Sequence, residues 1–319
     1  MAILITGGLG YIGSHLAITL AKKYDIYLLD FLSKDNEEAL IRLNELIPNK
    51  FIFLNVNLMN LDKKISLIEN CKIDLICHCA VVKSQDEMRS YDANKNEFIL
   101  EKIMLLVSSL NVNKFIFTSS SAVYGNAILG PTIESQPLDP QSIYGKSKLL
   151  MEKTLLEYAN RNLEFCAVAL RLFNVAGNEY HYINNSSLIK NVAKAAKDNR
   201  LILDINSTSH TTSDGTYIRD YIYISDVISA IDKSINFTAT KKGFFSINIG
   251  TGTGTSVFEL LDVFEKISRK KINFRVHNLD SSDVSISIAN NNLAKKLLDW
   301  EPVTNLSHIA LNLLADNNQ

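Results

Sequence analysis

At 319 residues with a formal net charge of −1, the chain is long enough for one large core or two lobes, and it carries no basic surplus of the kind that nucleic-acid partners require. No stretch approaches the uninterrupted apolar length of a membrane span, so membrane insertion is not expected, and a glycine motif that begins at residue 7 is expected to leave no signal peptide ahead of the fold. The four cysteines, Cys71, Cys77, Cys79 and Cys166, lie in or beside apolar runs at spacings unlike those of zinc or thioredoxin motifs. They read as buried thiols of a protein in the reducing cytoplasm, and no metal site is expected.

In chain order, an apolar strand over 2–6 breaks into Gly7, Gly8, Gly10 and Gly13 before an amphipathic helix over 11–23. The run fits both Gly8-x-Gly10-x-x-Gly13 and Gly7-x-x-Gly10-x-x-Gly13. Such a turn lets a pyrophosphate approach the backbone, where helix N-terminal amides and the helix dipole hold it. The next strand, 25–30, ends in Asp30 about 20 residues on, where an acid accepts hydrogen bonds from ribose hydroxyls and repels a 2′-phosphate. That favours NAD over NADP, although Lys34 nearby leaves some NADP tolerance open.

Further apolar strands are expected at 51–56, 73–78, 113–118 and 165–171, with helices at about 36–47, 61–69, 93–110 and 145–161 between them. This alternation predicts a doubly wound, mostly parallel α/β sheet covered on both faces. After Arg171 the pattern loosens, with Asn, Ser and Thr concentrated at 174–187 and 206–216 and helices near 188–198, 225–237 and 256–268. The expected division is a dinucleotide-binding domain over 1–173 and a smaller mixed α/β substrate lobe over 174–319. Segments near 217–250 are candidates to join the sheet, and the two parts are expected to have interleaved segments.

A second signal is Tyr144-Gly145-Lys146-Ser147-Lys148. A tyrosine and a lysine four apart project from one helix face. A phenol with a pKa near 10 is a poor base at neutral pH, and a neighbouring ammonium lowers that value by stabilising the phenolate. Upstream, Phe115-Ile116-Phe117 runs into Thr118-Ser119-Ser120-Ser121 at the carboxyl end of a strand, where doubly wound sheets bind ligands. A hydroxyl there can hydrogen-bond a substrate oxygen beside the tyrosine.

With these residues the chain resembles the extended short-chain dehydrogenase/reductase family, and within it the NAD-dependent epimerase/dehydratase group typified by UDP-glucose 4-epimerase-like proteins. The resemblance spans Thr6 to His15, Phe115 to Gly125, Pro140 to Lys148, Leu170 to Asn174 and Asp214 to Ile222. It implies a Rossmann fold and a sugar-nucleotide epimerase, inverting C4 of a UDP-hexose or UDP-N-acetylhexosamine through a transient 4-keto sugar on tightly held NAD. Carried over by position, Tyr144 is the acid/base, Lys148 contacts the nicotinamide ribose, and Ser120 hydrogen-bonds the sugar hydroxyl. Gly7, Gly10, Tyr11, Ile12, Gly13 and Asp30 belong to the cofactor site. Asn57 and Leu58 would lie by the adenine, and Lys83 and Asn94 near the NAD phosphates and ribose. Asn174 and Arg219 would contact the substrate diphosphate, for which a guanidinium is well shaped. For Arg219 a surface pairing with Asp220 is the plainer alternative.

Several positions depart from the family pattern. Asn57 replaces an aspartate, Ala80-Val81 replaces Ala-Ala or Ala-Gly, and the stretch from Lys83 to Tyr91 is short. Ser187 stands where these epimerases usually place an amide side chain, ahead of Leu188-Ile189-Lys190. Leu279-Asp280-Ser281-Ser282-Asp283 lacks a diphosphate-binding arginine ahead of Asp283, a loss of about 1.5–3 kcal/mol unless Arg275 or His277 compensates. Ser287 falls near a bulky gatekeeper position, where a small residue leaves room for a 2-acetamido group. Ser121-Ala122 puts no carboxylate before Val123-Tyr124-Gly125, which argues against dehydration. Two rivals stay open: a nucleotide-sugar oxidoreductase (ketoreductase) that exchanges NAD(P), and a non-catalytic NAD-binding protein. The family habit of pairing helices implies a homodimer through segments near 95–110 and 145–160. There Ile99, Ile103, Leu106, Val107 and Leu110 form an apolar face suited to either core or interface.

Overall fold

The structure, a computed structural model, describes residues 1–63, 68, 71–80, 93–125, 130–178, 180, 187–207, 212–278 and 284–315. Seven strands form the main sheet, in the order Gly243–Ile249, Cys166–Leu172, Lys114–Ser120, Leu75–His78, Ala2–Thr6, Asp25–Asp30 and Phe51–Asn55. Ala2–Thr6 pairs in parallel with Asp25–Asp30 on one side and with Leu75–His78 on the other. The flanking pairs, Asp25–Asp30 with Phe51–Asn55 and Leu75–His78 with Lys114–Ser120, are parallel as well. The continuous apolar runs of these strands follow from burial on both faces. Gly243–Ile249 brings the late part of the chain into the sheet.

The core against one face contains Leu4, Ile76, Phe115, Phe117, Ala167 and Ala169 from strands, and Ile103, Leu106, Val107, Met151 and Leu155 from helices. The apolar face anticipated for a dimer is therefore largely consumed inside a single chain: Ile103, Leu106 and Val107 are fully buried, and Ile99 and Leu110 pack partly against them. On the same two helices, Ala93–Ser109 and Ile143–Arg161, the exposed apolar residues include Leu105 and Leu156. The segment expected as a helix over 61–69 begins as a 3-10 turn, Leu58–Lys63. No helix among the described residues is long and apolar enough to cross a membrane.

Two compact units are distinguished: Met1–Ser120 with Ser142–Leu170 and Ile231–Ser246, and Ser121–Gln141 with Arg171–Ala230 and Ile247–Gln319. The chain thus passes from one unit to the other several times, with 121–141 in the second unit and 231–246 in the first. The first unit holds nearly all of the large sheet. In the second, the sheets among the described residues are small, of two or three strands. Asn174–Ala176 pairs with Tyr221–Tyr223, Ile218–Arg219 lies between Thr255–Ser256 and Ile286–Ser287, and Ile202–Ser207 pairs with Asn273–Asn278.

Buried side chains hold this second unit together. Asp220 Oδ1 accepts from Thr251 N and Oγ1, and its Oδ2 from the backbone N–H of Gly252 and Ala289. Asp226 accepts from Val303 N and Thr304 N, while its carbonyl accepts from the Trp300 indole. The helix Val257–Ser268 starts with a reciprocal cap between Ser256 and Glu259.

Candidate active site

In the first unit the strand order reverses direction at Ala2–Thr6 and Leu75–His78, whose carboxyl ends lie side by side. This is the switch point at which open parallel sheets bind ligands. Gly7 leaves the first strand with φ +70°, and a Cβ there would stand 2.6 Å from Ala80 N. A Cβ on Gly13 would be driven into the Gly7 carbonyl oxygen. The glycines therefore allow the turn to close against both the next strand end and its own helix. That helix, Tyr11–Leu20, begins at Gly10 with no side-chain cap and no acid in its first turn. Such a helix start, with no acid of its own, favours an anion through its dipole and its leading amides.

Asp30 ends its strand with both carboxylate oxygens engaged, Oδ2 by Leu9 N at 2.9 Å and Oδ1 by Phe31 N at 2.8 Å. Burial still raises its pKa above the usual carboxylate value, because desolvation outweighs these two bonds. Each oxygen retains a lone pair for a ribose hydroxyl. A cleft lined by Gly7, Asp30, Val56, Asn57, Leu58 and Met59 extends from this point. Asn57 Oδ1 accepts from Met59 N at 2.9 Å, so the amide NH2 is what Asn57 can offer to a ligand edge. A cradle that excludes Cβ atoms, the N-terminus of a helix, a ribose-type carboxylate and an apolar slot together fit an adenine dinucleotide.

The same cleft is lined by Tyr144 and Lys148. Ser142 Oγ accepts from Gly145 N and starts the helix Ile143–Arg161, which places Tyr144 in the first turn. Tyr144 is 38% exposed, whereas Lys148, one turn deeper, is 4% exposed. Lys148 Nζ donates to the Thr118 carbonyl at 2.7 Å and lies 5.6 Å from the centre of the Tyr144 ring and 4.6 Å from that of Phe117. Burial brings the Lys148 pKa down to about 8, against the opposing pull of Cys79 and Glu152. The ammonium therefore persists at neutral pH and is lost as pH climbs through about 8.

His78 also lines the cleft. Its Nδ1 meets Thr6 Oγ1 at 2.6 Å, and its ring stacks on Phe117 at 5.7 Å. Burial foremost, with the Lys148 charge, lowers its pKa to about 3, so the imidazole is neutral. Ser120 ends its strand half-buried, beside Ser119, and is not among the described residues that line this cleft. Lys83 and Asp283 lie outside the described residues, as does the side chain of Asn94, whose backbone is in the helix Ala93–Ser109.

In the second unit, register sets Ser287 beside Arg219, and Asn174 beside Tyr221. Arg219 Nη1 donates to the carbonyls of Ile218 and Ser285, and its guanidinium lies 4.8 Å from the Tyr217 ring. Asp220 is turned to Thr251, Gly252 and Ala289. Ser187 precedes the helix Leu188–Lys197 in extended conformation, with no side-chain cap bond.

Sequence reasoning overlooked Thr6, His78, Phe117, Ser119 and Glu152. Glu152 carried a signal, since it lies four residues beyond Lys148 on the same helix. Thr6, His78 and Phe117 meet through strand pairing, and Ser119 meets Glu152 only where that helix packs on the strand.

Switch-point glycines, a ribose-type acid and a Tyr-x-x-x-Lys helix in one cleft define a dinucleotide-dependent protein of the doubly wound class. Residues 3–250 match the NAD dependent epimerase/dehydratase family. The chain belongs to that family, whose cofactor is NAD. It is 33% identical over 316 residues to the UDP-glucose 4-epimerase of Bacillus subtilis, covering 94% of this chain and 92% of that protein. To the Drosophila melanogaster UDP-glucose 4-epimerase it is 32% identical over 323 residues, covering 94% and 91%. Among solved structures, the UDP-glucose-4-epimerase from Stenotrophomonas maltophila with bound NAD and formylated UDP-arabinopyranose superposes with a TM-score of 0.90 at 26% identity, covering 99% of this chain and 97% of that one. The UDP-Glc/GlcNAc 4-epimerase from Campylobacter jejuni superposes with a TM-score of 0.82 at 31% identity, covering 98% of each chain.

Proposed function

We propose that this protein is a sugar-nucleotide 4-epimerase that inverts C4 of a UDP-hexose or UDP-N-acetylhexosamine. The observation that carries the reading is the convergence of Tyr144 and Lys148 with Gly7 and Asp30 in one cleft. NAD, when bound, supplies a hydride acceptor that can return what it takes. Tyr144 accepts the proton of the sugar 4-hydroxyl and later gives it back, with Lys148 lowering the cost of the phenolate. Ser120 hydrogen-bonds the same sugar oxygen. Gly7, Gly10, Tyr11, Ile12, Gly13, Asp30, Asn57 and Leu58 hold the dinucleotide, together with Lys83 and Asn94. Arg219 and Asn174 retain the diphosphate while the 4-keto sugar turns over, with Ser187 and Asp283 as further substrate contacts. The small Ser287, in register with Arg219, supports tolerance of a 2-acetamido group, an activity named for the Campylobacter jejuni relative. We further place the protein in the cytoplasm, where its four thiols stay reduced, and as a homodimer paired through the exposed sides of Ala93–Ser109 and Ile143–Arg161, which carry Leu105 and Leu156.

The test is incubation of purified protein with a panel of UDP-hexoses and UDP-N-acetylhexosamines, without added cofactor, with products resolved by NMR. Interconversion of 4-epimers is expected, with NAD released on denaturation. Stoichiometric NADH change without an epimer would instead identify a net oxidoreductase. Biological activity that persists in Tyr144→Phe would leave a non-catalytic NAD-binding protein.

A further inference from the structure

Two adjacent residues of the strand Lys114–Ser120 are tied to two residues one turn apart on the helix Ile143–Arg161. Lys148 Nζ donates to the Thr118 carbonyl at 2.7 Å, and Ser119 Oγ donates to Glu152 Oε1 at 2.5 Å. All three side chains are sealed from water, Lys148 at 4%, Ser119 at 2% and Glu152 at 3% exposed. The Ser119 hydroxyl thus gives the buried Glu152 carboxyl a fixed partner from the neighbouring strand. A carboxylate this deep is costly unless its charge is answered by hydrogen bonds and by a cation. We propose that Glu152, oriented by Ser119, is a positioning residue that keeps Lys148 in its ammonium form and registers it beside Tyr144. The assignment rests on the epimerase reading only for its catalytic consequence.

The groups facing Lys148 can be named element by element. From its own helix come Tyr144 and Glu152. From the strand Leu75–His78 and the residue after it come His78 and Cys79, both with ionisation suppressed by burial. From Lys114–Ser120 come the Thr118 carbonyl and the Phe117 face. Among these described neighbours, Glu152 is the carboxylate. Desolvation pulls Lys148 toward neutrality, and Cys79 and Glu152 act against it.

The experiment follows the ionisation of Lys148 directly, by NMR of the full-length protein carrying lysine labelled with 13C at Cε, the resonance being assigned with Lys148→Arg. Glu152→Gln keeps the size and an acceptor for Ser119 but removes the charge. It should lower the Lys148 titration midpoint by about one pH unit and move the alkaline limb of kcat by the same amount, with KM changed less than about twofold. Glu152→Asp, which withdraws the charge by one methylene, should give a smaller fall in the same direction. Ser119→Ala should also lower the midpoint. An unchanged midpoint in Glu152→Gln, at wild-type circular dichroism, overturns the proposal. If that variant does not fold, an unchanged midpoint in Glu152→Asp overturns it. The NMR result stands apart from turnover: absence of any 4-epimer in the wild type defeats the epimerase reading, while the midpoints still decide the role of Glu152.

Discussion

In the first unit, side chains far apart in sequence meet because one parallel sheet sets the strand register and a helix packs on it. Thr6 and His78, 72 positions apart, meet by strand pairing, and Ser119 and Glu152, 33 apart, meet strand to helix. In the second unit there is little extended sheet, and single buried acids gather the loops instead. Asp220 collects Thr251, Gly252 and Ala289, and Asp226 collects Val303 and Thr304. The contrast teaches where each unit is vulnerable. In the first, chemistry can be removed with the frame left standing. In the second, the frame itself hangs on a few bonds to buried acids, and Asp220 is next to Arg219, which we propose holds the substrate diphosphate.

The sharpest way to separate the two is to delete the proton carrier. Tyr144→Phe removes one hydroxyl from a partly exposed side chain and should lower kcat roughly 10²–10⁴-fold with little change in thermal stability. Steady-state kinetics and calorimetry check both halves. A comparable shock to the second unit should come from Asp220→Ala. It strips the acceptor from several buried donors and should cost about 3–5 kcal/mol in urea unfolding. If that loss came out under about 1 kcal/mol, the contrast between the units would be broken.

Next in size is Gly13→Ala, whose Cβ meets the Gly7 carbonyl oxygen and must move the turn. NAD affinity measured by calorimetric titration should fall by roughly one to two orders of magnitude, equivalent to about 1.4–2.8 kcal/mol. The smallest effect concerns pH. His78 titrates near 3 in the fold and near 6.5 when unfolded, so the unfolded chain binds the extra proton between those values. Stability is complete above about 6.5 and should decline by roughly 1.4 kcal/mol per unit as pH falls below it, a slope that His78→Gln should flatten. Denaturant midpoints between pH 7 and 5 measure this.

Much of the first unit could be read from local pattern. Gly7 to Gly13, Asp30 and the Tyr144/Lys148 pair announce themselves by spacing, and the sheet by buried apolar runs. What could not be read depends on which strands become neighbours. His78 looks like an ordinary strand residue until Ala2–Thr6 lies beside it. The face of Ile103, Leu106 and Val107 suited core and interface equally, and only packing against Phe115 and Phe117 resolved it as core. In the second unit, Asp220 resembled a surface partner for Arg219. Its actual partners, Thr251 and Ala289, lie 31 and 69 residues downstream. Which segments interleave, 121–141 with 171–230 among them, had no compositional mark either.

The central claim, that hydrogen leaves sugar C4 and returns to it within one cleft, is tested most directly by running the reaction in D2O without added cofactor and inspecting the product by NMR. Retention of protium at C4 in both epimers, at full interconversion, is the predicted result. Deuterium at C4 would contradict it, because the hydrogen would then have passed through solvent rather than being held and returned.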